Sequence, residues 1–177
     1  MKALLVAATV LALVVSPSAA FASKMTTANA EIVNAAGDMV GKAVFEQTPT
    51  GVLIFVEARD LPPGPHGIHL HAVGSCTPDF TAAAGHINPG KVAHGLRHPD
   101  GPDNGDLPNL YVAADGTVQA EFFTTRVSVS GRARRRRPAL LDENGSAIVI
   151  HDMPDDHMSQ PIGGAGGRIG CGVVKRP

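Results

Sequence analysis

Apolar and polar residues alternate with a period of two along much of the chain, and turn signals break the pattern at intervals of roughly eight to twelve residues. Side chains of a strand point alternately to its two faces, so this pattern predicts a sheet with one buried face. Strands are expected near Thr27–Ala35, Lys42–Gln47, Val52–Ala58, Ile68–Val73, Leu110–Ala113, Thr117–Phe123, Arg126–Ser130, Ala147–His151 and Ile169–Val174. Thr48-Pro49-Thr50-Gly51, Ala114-Asp115-Gly116 and Glu143-Asn144-Gly145 read as hairpin turns. Helical periodicity is hard to find, and the fold class expected is all-β.

Two stretches escape the alternation. Residues 75–108 are rich in proline and glycine, and residues 152–167 are similarly irregular. Loops this long in a compact domain are usually functional. The residues able to carry chemistry lie in or beside them.

The stretch HGIHLHAVGSC, residues 66–76, carries three of these. A buried histidine needs a partner that offsets its lost hydration. His69 and His71 share a strand face, whereas His66 has the other parity and is expected to be a hydrogen-bonded structural residue. His86, His94, Asp103 and Asp106 follow in the first loop, and His151 ends an apolar strand. Imidazole suits copper and zinc, and carboxylate oxygens are good zinc ligands, so a histidine-rich part beside a His/Asp part suggests two metal positions. His98 and His157 are expected to be solvated loop residues.

Composition adds an address and a redox setting. Lys2, the apolar stretch from Ala3 to Val15 and Ala20-Phe21-Ala22 before Ser23 form a signal-peptide pattern. Residues 1–22 are expected to be removed on export, leaving residues 23–177 as one domain. After export the only two cysteines, Cys76 and Cys171, meet an oxidising compartment, where one disulfide is expected rather than two free thiols. The whole chain has a formal net charge of −1, too near neutral to predict a nucleic-acid partner. Against it stands the run Arg132-Ala133-Arg134-Arg135-Arg136-Arg137, readable as a solvated loop, a steering patch or a contact with an anionic envelope surface.

The motifs HGIHLHAVGSC, AGHINP (84–89), KVAHG (91–95), GDLPNL (105–110), IVIHDMPDD (148–156) and GGAGGRIGCGVV (163–174) together resemble the copper/zinc superoxide dismutases, in particular the exported bacterial ones. The resemblance spans about residues 26–175. It implies a Greek-key β-barrel or sandwich of about eight antiparallel strands, periplasmic or secreted, with two long functional loops over a metal centre. Superoxide is the implied substrate and copper and zinc the implied cofactors; a homodimer is left open.

By resemblance, His69, His71, His86 and His151 are the copper ligands, and His86 is also the bridge to zinc. His94 and Asp106 match zinc ligands. Asp155 matches the carboxylate joining a copper histidine to a zinc histidine, Arg168 the arginine beside the substrate, and Cys76 with Cys171 the disulfide. Where the family carries its remaining zinc histidine this chain has Asp103, which a zinc site accepts as a ligand, with His98 the other contender. The competing readings are an exported copper-storage protein on the same barrel and, more remotely, a nucleic-acid- or carbohydrate-binding module resting on the arginine run.

Overall fold

A computed structural model describes residues 26–130 and 137–177, so the signal-peptide expectation for 1–22 and most of the arginine run, Arg132–Arg136, lie outside the described residues. Among the described residues nine strands form in chain order: β1 (Thr27–Val33), β2 (Met39–Gln47), β3 (Val52–Ala58), β4 (Gly64–His66), β5 (Ile68–His71), β6 (Leu110–Val112), β7 (Val118–Thr124), β8 (Ala147–His151) and β9 (Arg168–Val173). Every ladder among them is antiparallel.

Seven strands pair in the order β5-β8-β9-β1-β2-β3-β7, and β4 pairs separately with β6. Gly67 alone separates β4 from β5, and one turn, with Gly116 at φ +80°, joins β6 to β7. The small ladder is therefore continuous with both edges of the large sheet and closes it into a barrel. β3 and β4 are neighbours in sequence but not in space, which is the crossover of a Greek key.

Alternation does the folding. In β1, Ala28, Ala30 and Ile32 are buried while Asn29 and Glu31 face water. Phe45, Ile54, Ile68, Leu70, Leu110, Ile148 and Ile150 join them in one barrel core. Strands β5 and β8 differ, for both their faces are covered. Ile68 and Leu70 turn into the core, leaving His69 and His71 on the outer face. Ala147 and Val149 of β8 form a second apolar cluster there with Phe80, Ala83 and Cys171.

Two expectations need correction, and one strand went unread. Arg126–Ser130 is not a strand: Val127, Ser128 and Val129 are all buried, and Val129 N–H donates to the Gln47 side chain instead of to a ladder. The turn at Gly145 forms, with φ +67°, but joins no hairpin, since β7 and β8 do not pair. Gly64–His66 pairs with β6 although Pro65 and its brevity hid it. A short 3-10 turn, Phe80–Ala83, also interrupts the first loop.

Candidate metal centre

The centre is built on the outer edge of β5. Gly105 O accepts from Leu70 N–H, Leu70 O from Ile87 N–H, and Gly85 O from Ala72 N–H, so the long loop covers an edge that would otherwise present unpaired backbone groups. This pairing places Asp106 opposite His69 and His86 opposite His71. A Cβ on Gly105 would lie 2.2 Å from Leu70 O, so only glycine permits the approach. From the neighbouring strand, His151 N–H donates to Gly67 O. The ring centroids of His69 and His151 are 5.0 Å apart, and those of His69 and His86 4.2 Å.

Four imidazoles thus converge, with one ligand atom from each of His69, His71, His86 and His151 within 4.8 Å of the others. Each of the first three strand-borne rings spends one nitrogen on a fixed acceptor. His69 Nε2 donates to Asp155 Oδ2 (2.9 Å), His71 Nδ1 to Ala84 O (2.8 Å) and His151 Nδ1 to Gly166 O (3.3 Å). The opposite nitrogens, His69 Nδ1, His71 Nε2 and His151 Nε2, are buried with no partner, as is His86 Nε2. Buried polar atoms seldom go unpaired, and four aimed at one point fit a metal ion with imidazole ligands.

Burial pushes His69 down to about 3, against the pull of Asp155. It pushes His71 to about 2, helped by His86 and Arg168, and His151 to about 4. These three rings are neutral at ordinary pH, the form a metal needs.

The second group shares His86 and adds His94, Asp103 and Asp106, whose ligand atoms also fall within 4.8 Å. His86 Nδ1 lies 3.0 Å from Asp103 Oδ2 and 3.4 Å from Asp106 Oδ1. His94 Nδ1 is 2.6 Å from Asp106 Oδ1, yet neither atom makes a hydrogen bond. A nitrogen and an oxygen so close but misaligned for a hydrogen bond suit ligands sharing an ion. Burial lowers the proton affinity of His86 and His94, but the carboxylates outweigh it: Asp103 and Asp106 raise His86, and Asp106 with Asp155 raises His94 to about 10. Asp106 is held well below the carboxylate range, burial notwithstanding, by His86, His94 and Gly95 N–H.

Asp155 joins the groups. Its Oδ2 accepts from His69 and its Oδ1 from His94 Nε2 (3.1 Å). Gly163, at φ +64°, packs its backbone against Asp155 where a Cβ would collide with Oδ1. Arg168 stands opposite His151 because the β8–β9 register slips by one residue after Ile150–Gly170. Its guanidinium donates to Phe80 O and Ala84 O, carbonyls of a loop segment that the Cys76–Cys171 disulfide ties to β9.

Among the other histidines, His66 lies between carbonyls of His151 and Pro62, as expected of a structural residue. His98 stays outside both groups, its Nδ1 accepting from Asp100 N–H. His157 corrects its reading as a solvated residue: its side chain is only 13% exposed, with Nδ1 3.2 Å from Asp155 Oδ2. Three supports went unread in the sequence. Asn109 clamps the Asp155 backbone through both its N–H and C=O, Gln160 does the same for His94, and Arg126 donates to Asp106 O. Only the asparagine of GDLPNL sat inside a noticed motif. A groove of about 800 Å³ lies elsewhere, beside Met39, Glu57 and Tyr111, and contains no histidine.

A family model described as copper/zinc superoxide dismutase matches residues 39–174. A copper/zinc superoxide dismutase of Caulobacter vibrioides is 48% identical over 141 residues, 78% of this chain and 80% of its own. One from Aquifex aeolicus is 45% identical over 149 residues, 83% and 86% of the two chains. Among solved structures, a superoxide dismutase-like protein from Bacillus subtilis superposes with a TM-score of 0.77 at 38% identity, covering 82% of this chain and 96% of that one.

Proposed function

Because this chain belongs to the copper/zinc superoxide dismutase family, we propose that it converts two superoxide anions and two protons into one O2 and one H2O2. Its copper ligands are His69, His71, His86 and His151, and its zinc ligands are His86, His94, Asp103 and Asp106. The observation that carries the reading is the set of four buried, partnerless imidazole nitrogens aimed at one point. Bound copper supplies the one-electron acceptor and donor, and zinc a fixed charge without redox change.

The protein's own groups do the rest. Arg168, permanently charged and clamped by two carbonyls, holds an anion beside His151. His86 Nε2 is the atom that takes up and returns a proton, while Nδ1 stays engaged by the Asp103 and Asp106 side. Asp155 keeps His69 and His94 in one tautomer and orientation.

The mature form begins near Ser23, after export to the periplasm or beyond. The arginine run draws anions toward the protein, superoxide or an envelope surface. Replacing those arginines with serine should reduce the ionic-strength dependence of kcat/KM, and an unchanged dependence removes steering.

The decisive experiment loads metal-free protein with copper alone, then with copper and zinc, and measures metal content and superoxide decay together. Rapid decay in the copper-containing forms is expected. Stoichiometric copper without accelerated decay overturns the dismutase reading in favour of copper storage.

A further inference from the structure

Resting on the two-metal reading, we propose that Asp103 is a metal-sorting residue: it strips the acidic pocket of copper's usual advantage, so that copper settles among the four histidines and zinc in the acidic pocket.

For a given set of ligands copper(II) normally binds more tightly than zinc, so two adjacent pockets stay distinct only if their donors differ. Here they do. One pocket offers four imidazole nitrogens and the other two nitrogens and two carboxylate oxygens. Imidazole suits both ions, whereas carboxylate oxygen belongs to the harder end of the scale and remains a good zinc ligand. A histidine at position 103 would make the second pocket three-quarters nitrogen and more like the first.

Charge suits a dication in this pocket, while the choice between the two dications rests on the donors. Arg126, on the segment after β7, donates to Asp106 O and sits within electrostatic reach of both Asp103 and Asp106. A dication held by one carboxylate would leave a net positive pocket against that guanidinium. With two carboxylates the pocket is neutral when filled by a dication and negative when filled by Cu(I).

Asp103 is also mounted as a ligand. Its Oδ1 is occupied by Gly105 N–H (2.8 Å), which leaves Oδ2 facing His86 Nδ1. Its own N–H donates to Asp106 Oδ2 (2.9 Å), so one turn fixes both carboxylates, and Asn104 ties that turn to Arg126 O. The pocket is aimed at an ion independently of its acidity: His94 Nδ1 and Asp106 Oδ1, on residues 2% and 0% exposed, point into it without partners.

The test uses the mature chain, metal-free, as wild type, Asp103→His and Asp103→Asn. Each is given one equivalent of copper(II), then equal concentrations of copper(II) and zinc compete for the second site, read by metal analysis and by the copper electron paramagnetic resonance spectrum. In wild type zinc takes the second site. Asp103→His should raise the copper-to-zinc ratio there by at least ~10-fold, and Asp103→Asn, of nearly unchanged size, should weaken zinc by at least ~10-fold, the lower end for losing even an outer support of a ligand. An equal ratio in wild type and Asp103→His overturns the sorting role. If Asp103→His does not fold, unchanged zinc affinity in Asp103→Asn overturns it. A wild type that binds no second metal overturns the two-metal reading itself.

Discussion

The two pockets that meet at His86 solve opposite electrostatic problems. Three rings of the histidine pocket are neutral: His69, His71 and His151 lie far below the usual imidazole range because burial disfavours their charged form. The acidic pocket is also hidden, yet its carboxylates raise the proton affinity of His86 and hold His94 at about 10.

The difference is most sharply broken by His71→Ala. It removes a ligand from one pocket only, so superoxide decay should fall to the uncatalysed rate while zinc content stays at one equivalent; loss of both metals would show that the pockets are not separable. Next in size is Asp155→Asn, which touches a histidine of each pocket. Both metal affinities should fall by ~10- to 100-fold, measured by chelator competition. A loss confined to one metal would break the symmetry assigned to Asp155.

Protons sharpen the comparison further. In metal-free protein the histidine pocket contributes instability on the acid side. Its rings charge near pH 6.5 when unfolded but only near 4 to 2 when folded, so the unfolded state binds more protons and stability drops as pH falls below about 6.5. Each ring contributes at most about 1.4 kcal/mol per pH unit. His94 behaves inversely: its stabilisation is complete below about pH 6.5 and is lost as pH rises through about 10. Urea unfolding of metal-free protein should give a stability maximum near pH 6.5, with stability falling toward acid through the three buried rings and toward alkali through His94, and a flat profile would contradict both assignments. The smallest effect is a count. At pH 7 zinc entering the acidic pocket should release about one proton more than copper entering the histidine pocket, read by calorimetry in buffers of different ionisation enthalpy.

The strands were readable because a half-buried sheet writes its period into the sequence, as Ala28, Ala30 and Ile32 show. The same parity put His69 and His71 on one face and separated His66 from them. The period misled at Val127 and Val129, whose alternation with serines belongs to a buried loop satisfied by Gln47. Nothing local announces the supports of the centre. Asn109 meets Asp155 across 46 residues and Gln160 meets His94 across 66, through loops that have no repeat to reveal which side chains will face each other. His157 was misjudged for the same reason.

Counting by twos along β9, Gly172 and Gly170 turn their missing side chains toward Ile32 in the barrel, and the next residue of that parity is Arg168. An unbroken ladder would therefore drive a guanidinium into hydrocarbon, at a desolvation cost of several kcal/mol. The bulge after Ile150 averts this by turning the arginine outward toward the metal-bearing loops. The charge is thus its own registration mark: any slip of β9 that would mis-set the anion-holding residue is also one the barrel refuses to accommodate.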